Sequence, residues 1–430
     1  MPDVVDQKSL KRNVSPYPTA SSMWAMADQG VASLGNFSTQ ILLARHLNQA
    51  TYGIFALLYG IIIFANTLHA GLVTYPLAVR GAAADEEGLR TLAGESLYST
   101  LLLSLPLVAL LVVAAKVMGQ IRTAPWAIAC LVLWQLQEVP RRALMAHLRH
   151  RAAVTGDVVS YLGQVGLLWV LASRNQLAID SAFGAIAVTS AAAAALQLVQ
   201  VRVRFSLCRR AAGLIRHAWE VGCWAFLANV ANGCAYQIFP WGLALYQGPA
   251  AAAVFQAITN PLGASRPVMT ALGNLVVPDV ARARAAQGRN AAWSASLKHA
   301  AGGALLIMPY FCLLFLWPSF WLKILYGSHS NYISYRAPLR VLVVGFVLLY
   351  ITNFLGAVFY GLEQSLTVFK SQLAAAVAAI AIGVPLIIWF GVSGAAIAFT
   401  VCCLVQFLAF LAPLRKERPS GYLGVQTLPR

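Results

Sequence analysis

Residues 53–79 read GIFALLYGIIIFANTLHAGLVTYPLAV, a run that contains no Asp, Glu, Lys or Arg. A helix that crosses the hydrocarbon core of a bilayer needs about 20 predominantly apolar residues. The run is long enough to span a membrane, and its lack of charge is typical of a segment that lies in lipid. It therefore predicts a transmembrane helix.

The composition extends this prediction to the whole chain. Of the 430 residues, 59% are hydrophobic and only 10% are charged, and the mean hydropathy is +0.69. A soluble globular protein carries about 25% charged residues, so this chain could not cover its surface with water-compatible groups. These values exclude a soluble enzyme, a disordered chain and a secreted disulfide scaffold. They predict an all-α polytopic membrane protein.

Apolar stretches of spanning length recur along the sequence, and we expect about twelve transmembrane helices. In the first half of the chain they cover residues 20–44, 53–79, 96–115, 124–145, 153–172 and 181–201. In the second half they cover residues 219–246, 250–277, 297–316, 339–360, 366–389 and 392–411. The outer connections are short, so any function has to reside inside the bundle or at its cytoplasmic loops.

The basic residues lie mainly on one side of this arrangement. Most of the 31 lysines and arginines fall in the termini and in the alternate connections that share a side with the N-terminus. Because cytoplasmic loops are enriched in Lys and Arg, this distribution predicts a multi-pass membrane protein with both termini in the cytoplasm. It also accounts for the net charge of +17, so we expect no nucleic-acid partner.

The two halves of the chain carry related patterns. YGIF at 52–55 has a counterpart in AAVF at 252–255, and GAIAVT at 184–189 resembles GAAIAFT at 394–400. The nearly constant offset predicts two parallel six-helix repeats.

We therefore divide the chain into a cytoplasmic tail (1–19), an N-terminal six-helix lobe (20–201), a basic linker (202–218), a C-terminal six-helix lobe (219–413) and a second tail (414–430). Residues 202–216 of the linker are expected to form an interfacial helix. Two lobes around a central cavity predict a carrier in which one lobe rocks against the other to give alternating access.

A charged residue at the centre of a span costs roughly 3 kcal/mol on insertion scales, and two charged residues are candidates by their position within spans. Arg266 lies beside Pro267 in NPLGASRP (260–267), and its guanidinium could bind backbone carbonyls freed by the prolines and so pin a kink. It could instead project into the cavity and bind an anionic substrate such as a phosphate. Asp28 could be a proton- or sodium-linked carboxylate, or a hydrogen-bonded structural residue.

A third group of charges ends the fourth span, in QLQEVPRR (135–142). Glu138 precedes Arg141 and Arg142 by three and four residues, so all three share one helix face. They form either an interfacial ion pair or a basic gate at the cytoplasmic mouth of the cavity. Arg80, at the end of the second span, would join such a gate.

The candidate site residues fall into two sets. The candidate substrate-binding residues are the basic ones, Arg266, Arg80, Arg141, Arg142 and Arg45. The candidate coupling residues, which would take up H⁺ or Na⁺, are Asp28 and Glu138, whereas His69 is expected to be a packing residue. The sequence has no Walker A loop, no HExxH motif and no CxxC spacing among its seven cysteines. We therefore expect a protein that is not an enzyme and that binds no cofactor or metal.

The segment LLARHLNQATYGIFA (42–56) resembles the junction of the first two helices in Wzx-type O-antigen and exopolysaccharide flippases. These proteins belong to the multidrug/oligosaccharidyl-lipid/polysaccharide (MOP) superfamily, and their pattern reads roughly ARxLGxxxYGxF. Here Asn48 replaces the usual glycine. The pair Tyr326-Gly327 with the span after it, and GVSGAA at 391–396, are similar to the tenth and last helices of the family.

The resemblance implies two six-helix bundles that form a V around a cationic cavity. It implies a flippase of the bacterial inner membrane that serves polysaccharide biosynthesis. Such a protein moves an undecaprenyl-pyrophosphate-linked oligosaccharide, the repeat unit of lipopolysaccharide O-antigen or of an exopolysaccharide, from the inner to the outer leaflet. In related lipid-precursor flippases, arginines on helices one, two and eight line the cavity, and Arg266 matches the position on helix eight. Helices one and two here carry only the terminal Arg45 and Arg80. Membrane lipid and polysaccharide polymerase or assembly proteins are the other expected partners.

Two other functions remain open on the sequence. A MATE-like multidrug exporter of the same superfamily would share the fold, would be driven by H⁺ or Na⁺, and would favour buried carboxylates over an arginine. A membrane-embedded polysaccharide polymerase or ligase would need a sizeable extracytoplasmic loop or a paired acidic motif, and the sequence contains neither.

Overall fold

The computed structural model describes residues 20–204 and 211–417, and this part of the chain is built from helices without any strand. Seven segments within it are long and apolar enough to cross a membrane. The predicted all-α polytopic membrane fold is confirmed.

The first half of the chain supplies spans 1 to 6. They comprise α1 (Ala20–His46), α2 (Gln49–His69) continued by a π-turn (Ala70–Thr74) and α3 (Tyr75–Ala83), α4 (Glu86–Val117), α5 (Ala124–Ala146), α6 (His150–Asp157) continued by a π-turn (Val158–Leu162) and α7 (Gly163–Ser173), and α8 (Ile179–Val201). Spans 2 and 5 are therefore each a helix with one wide turn in its middle.

The second half supplies spans 7 to 12. They comprise α9 (Ala211–Gln247), α10 (Pro249–Gly263) followed by α11 (Arg266–Gln287), α12 (Arg289–Leu316), the short α13 (Pro318–Tyr326), α14 (Arg336–Gly361), α15 (Ser365–Ala378) with a π-turn (Ala379–Gly383), and α16 (Val384–Glu417). Gly391 divides α16 with a left-handed backbone (φ 56°), and spans 11 and 12 meet at this residue.

Each predicted span falls on one helix or on consecutive helices, spans 11 and 12 share α16, and the ends differ by a few turns at most. Span 3 differs most, because Asp85 accepts a hydrogen bond from the Gly88 amide (2.9 Å) and starts α4 at Glu86, well before the apolar run. The apolar surface of α4 faces outward, with Leu105 66% exposed and Val117 76% exposed. Such a surface needs lipid around it.

The residue that departs from the family pattern, Asn48, caps the start of α2. Its side-chain oxygen accepts a hydrogen bond from the Thr51 amide (2.8 Å), and its φ of −65° is open to any residue. A cap of this kind satisfies one of the free amides at a helix start. Asparagine can therefore replace glycine here without backbone strain.

Helix interruptions recur at equivalent places in the two halves. Spans 2 and 8 are interrupted at 70–74 and at 264–265, and spans 5 and 11 carry π-turns at 158–162 and 379–383. Such turns free backbone groups and usually mark functional positions in helices. The pattern agrees with the six-plus-six repeat that the sequence predicts.

The two halves pack together along spans 1, 2, 7 and 8. Helix α2 lies against α9 and α10, and α1 contacts α10, α11 and α13. The closest approach is at Gly53, where a Cβ would lie 1.8 Å from the carbonyl oxygen of Pro249, so only glycine fits there. The connections α1–α2 and α9–α10 lie on the side that the charge distribution predicts to be external. We call this side the outer end.

The predicted linker and tails need correction where the structure describes them. Helix α8 ends at Val201 and α9 already begins at Ala211, so residues 211–216 continue into span 7 and do not belong to a separate interfacial helix. Likewise α16 extends to Glu417, beyond the predicted start of the tail at 414, because the helix carries on past the apolar segment. The remaining parts of the linker and tails, residues 1–19, 205–210 and 418–430, lie outside the described residues.

Candidate functional site

A buried ion-pair network centred on Arg141 joins three helices of the first half. The Arg141 guanidinium donates from Nη2 to Asp28 Oδ2 of α1 (2.6 Å) and from Nε to Asp157 Oδ2 of α6 (2.7 Å). Its Nη1 contacts both Glu138 carboxylate oxygens at 3.1 and 3.2 Å. All three nitrogens of the guanidinium therefore have a carboxylate partner.

The central side chains of this network are buried away from solvent. The side chains of Asp28 and Asp157 are fully buried and that of Arg141 is 5% exposed. Only Arg142, which donates from Nε to Glu138 (3.3 Å), has substantial exposure, at 42% of its side chain. Removing one partner from such a buried set leaves an uncompensated charge and costs about 3–5 kcal/mol.

Polar side chains line the helices beside the network, and several of their atoms have no partner. Ser160 donates to Gln137 (2.9 Å) and Ser104 donates to Gln135 (3.0 Å). Within the described residues, Oδ1 of both Asp28 and Asp157 and Nε2 of both glutamines are buried without a hydrogen bond. Buried polar atoms in native proteins are rarely left without a hydrogen bond, so these atoms could bind a proton or a water molecule.

Some contacts of the network have the spacing that the sequence shows. Glu138 pairs with both Arg141 and Arg142 along one helix face, as the spacing predicts. Asp157 was missed, although it lies inside predicted span 5 and its charge in an apolar run was a sufficient signal. The network also brings in Asp28, which the sequence singled out without a partner.

Arg266 lies apart from the network, at the first turn of α11. At 1.5 Å per residue it is about 25 Å along span 8 from Pro249, at the outer end. Its side chain is exposed in the bundle, and it has no hydrogen bond or ion pair with any described residue. It interacts electrostatically with the hydroxyls of Tyr59 on α2 and Tyr236 on α9, so its charge faces both halves.

Two backbone carbonyls beside the kink in span 8 accept hydrogen bonds from tyrosine hydroxyls. Pro261 cannot donate to the carbonyl of Ala257, and the Tyr326 hydroxyl donates to that oxygen instead (2.7 Å). The Tyr310 hydroxyl donates to the carbonyl of Pro261 (2.7 Å). The guanidinium of Arg266 bonds neither of these two carbonyls.

The other candidate arginines occupy different places. Arg45 donates from Nε and Nη2 to the carbonyls of Leu325 and Ile324 at the end of α13, which ties span 1 to the second half at the outer end. Arg80 on α3 is half-buried and forms no hydrogen bond or ion pair with a described residue. The structure thus unites Asp28, Glu138, Arg141 and Arg142, and it leaves Arg45, Arg80 and Arg266 separate. His69 packs in the first half and bonds Thr100 (2.8 Å).

A hydrogen-bond chain closes the outer end between the two halves. Tyr52 on α2 donates to Gln40 (3.1 Å), and Asn260 on α10 donates to the hydroxyls of Tyr52 (3.0 Å) and Tyr326 (3.3 Å). We call Gln40, Tyr52, Asn260 and Tyr326 the outer latch. These hydrogen bonds join the two halves at the outer end.

Solved structures of membrane transporters share this architecture. An inward-facing multidrug-resistance MATE family transporter of the MOP superfamily has a TM-score of 0.72 at 17% identity, over 90% of this chain and 94% of that chain. The lipid II flippase MurJ, in an inward closed conformation, has a TM-score of 0.69 at 11% identity, over 92% of this chain and 88% of that chain. The chain has the MOP-superfamily fold.

A third MOP structure shows that the polarity of the site differs within this fold. A transporter from Pyrococcus furiosus, for which reversed polarity of the binding pocket suggests a different function, has a TM-score of 0.64 at 17% identity, over 92% of this chain and 94% of that chain. No family model and no curated protein matches the sequence. The solved structures therefore support the fold that the resemblance implies, and the assignment to the MOP superfamily and to its Wzx-type flippases stays a prediction.

Proposed function

We propose that this protein is a flippase that moves an undecaprenyl-pyrophosphate-linked oligosaccharide from the inner to the outer leaflet. One observation carries the proposal. Arg266 is a permanent cation that is exposed, interacts with tyrosines of both halves, and has no carboxylate partner among the described residues. An anionic headgroup would supply the counter-charge that the described residues do not.

The chemistry around Arg266 suits a pyrophosphate. A guanidinium binds phosphate oxygens with two parallel charge-assisted hydrogen bonds. Tyr59 and Tyr236, one from each half, place phenolic hydroxyls near the same charge. Their aromatic rings also suit the sugar that follows the phosphates, since aromatic side chains combine an apolar body with a polar tip.

The Arg141 network would couple the cycle, with Asp28 and Glu138 as the sequence suggested and Asp157 added by the structure. Its three carboxylates and two guanidiniums leave one net negative charge. A single proton or monovalent cation taken up beside the free Oδ1 atoms of Asp28 and Asp157 would balance it. Because Asp28 and Asp157 lie on α1 and α6, such uptake would change how these two helices are held together.

A second candidate function is a MATE-like exporter of cationic drugs driven by H⁺ or Na⁺. The buried carboxylates of the Arg141 network favour it, because a coupling ion needs such groups. The two functions make opposite demands on Arg266. A pocket for cationic drugs would gain from loss of this positive charge, whereas a pocket for pyrophosphate would fail without it.

The test is lipid movement in proteoliposomes that contain the full-length protein and a fluorescent undecaprenyl-pyrophosphate disaccharide. We expect Arg266→Gln to slow translocation at least about tenfold and Arg266→Lys to retain part of the rate, because the lysine keeps the charge but loses the bidentate geometry. Arg174→Gln is the matched control, an exposed arginine in the loop after α7. Unchanged translocation in Arg266→Gln would refute the proposal, and efflux of cationic dyes without lipid movement would favour the exporter.

A further inference from the structure

A groove of about 640 Å³ opens at the outer end, directly beside the outer latch. One wall is residues 44–49, where α1 passes into α2, and the other is residues 326–332, which follow α13. The two walls therefore come from different halves of the protein. Arg45 and Tyr326 belong both to the groove and to the contacts that close the outer end.

The lining of this groove is polar and nearly uncharged. Amide, hydroxyl and imidazole groups dominate it, namely those of Asn48, Gln49, Ser328, His329, Ser330 and Asn331. None of its described lining residues is Asp, Glu or Lys, and the guanidinium of its single arginine already donates to two backbone carbonyls. Such a set offers both donors and acceptors without a net charge, which suits the hydroxyls of neutral sugars.

The groove wall also contains a hydroxyl that lacks a partner. Tyr332 is 3% exposed, and its hydroxyl makes no hydrogen bond with any described residue. Its ring packs edge-on against Tyr326, with centroids 4.9 Å apart. Buried polar atoms are nearly always paired, so a small rotation of Tyr332 toward a bound hydroxyl group would satisfy an atom that is otherwise unpaired.

We propose that this groove binds neutral sugar residues on the outer face, and that an occupied groove holds the outer end closed. The identity of the ligand as a glycan rests on the proposed function. The closing effect does not depend on it, because the two walls of the groove belong to different halves of the protein. A ligand that touches both walls binds the closed state better than the open state, and differential affinity of this kind shifts a conformational equilibrium. Glycan that accumulates outside would then slow further transport.

Direct binding is the first test. Saturation-transfer NMR on the full-length protein in nanodiscs, with lactose, maltose and N,N′-diacetylchitobiose as probes, should show transfer to sugar protons for at least one of them. His329→Ala and Asn331→Ala remove exposed groove side chains, and each should weaken binding about tenfold. Gln176→Ala, an exposed residue in the loop before α8, is the matched control and should bind as the wild type does.

Two results would overturn the proposal. One is transfer that is absent in the wild type or unaffected in both groove variants. The other is equal competition by glycerol phosphate, which would make the groove a site for phospholipid headgroups. Arg266→Gln should leave sugar binding intact, because that residue is far from the groove. Loss of lipid translocation and loss of sugar binding can therefore be read separately, and either can fail without the other.

The closing effect is tested by transport. A sugar that binds in the first test is added at saturating concentration to the outer side of oriented proteoliposomes only. It should slow translocation by the wild type and have no effect on translocation by the double variant His329→Ala, Asn331→Ala. If outside sugar slows both proteins equally, or neither, the closing effect is wrong. Where translocation itself is absent, protection of residues 327–332 from hydrogen exchange on addition of sugar supplies the same readout.

Discussion

Removal of Arg141 should destabilise the protein severely, and removal of its partners as well should restore much of the loss. Arg141→Met deletes the donor that Asp28 and Asp157 share and leaves two fully buried carboxylates with no counter-charge. Breaking a buried network in this way costs about 3–5 kcal/mol, whereas replacing the whole set by neutral groups of similar volume is often neutral or stabilising.

The triple variant Arg141→Met, Asp28→Asn, Asp157→Asn is therefore expected to be more stable than Arg141→Met alone by about 2 kcal/mol or more. Glu138 keeps Arg142 as its partner in this variant. The assay is unfolding in mixed micelles by increasing SDS, followed by far-ultraviolet circular dichroism. If Arg141→Met costs less than about 1 kcal/mol, or if the triple variant is no better than the single one, the carboxylates are not held by this guanidinium and the reasoning fails.

Two further perturbations test other contacts. Tyr326→Phe removes the hydroxyl that donates to the Ala257 carbonyl, which Pro261 leaves free, and should lower the stability measured by SDS unfolding by about 1–3 kcal/mol. The loss should be smaller in a Pro261→Ala background, where the alanine amide can donate instead, and equal losses in both backgrounds would contradict the assignment. Gly53→Ala places a methyl group against the Pro249 carbonyl and should lower stability by about 1–3 kcal/mol and abolish translocation. The control Gly30→Ala, which has no atom within 4 Å of its Cβ, should change neither stability nor translocation. Similar behaviour of the two variants would show that the halves do not pack this closely.

The spans could be predicted from the sequence because hydropathy is a local property. A run such as residues 53–79 carries its own signal, and positive charge between runs sets the direction of each. Helix ends were less predictable where a cap extends a helix beyond its apolar segment, as Asp85 does for α4. The start of α9 at Ala211 was missed for a similar reason, since polar and basic residues there resemble a loop by composition.

The site could be predicted only where partners lie on one helix. Glu138 and its arginines are three and four residues apart, so their pairing follows from helix geometry. Arg141 and Asp28 are 113 residues apart, and nothing in the sequence indicates that spans 1 and 4 bring them together. The same holds for Tyr326, whose replacement of a missing proline donor depends on the packing of α13 against α10.

The contact at Gly53 gives the second span a fixed pivot near its outer end. From Gln49 to Ala83 this span is 35 residues long, or about 52 Å at 1.5 Å per residue. A rotation of about 10° around the point where Gly53 meets Pro249 would carry Ala83, about 45 Å away, through about 8 Å, which is comparable to the width of a sugar ring and its hydroxyl groups. The glycine that permits this contact at the outer end therefore determines how far the inner end of the span can move.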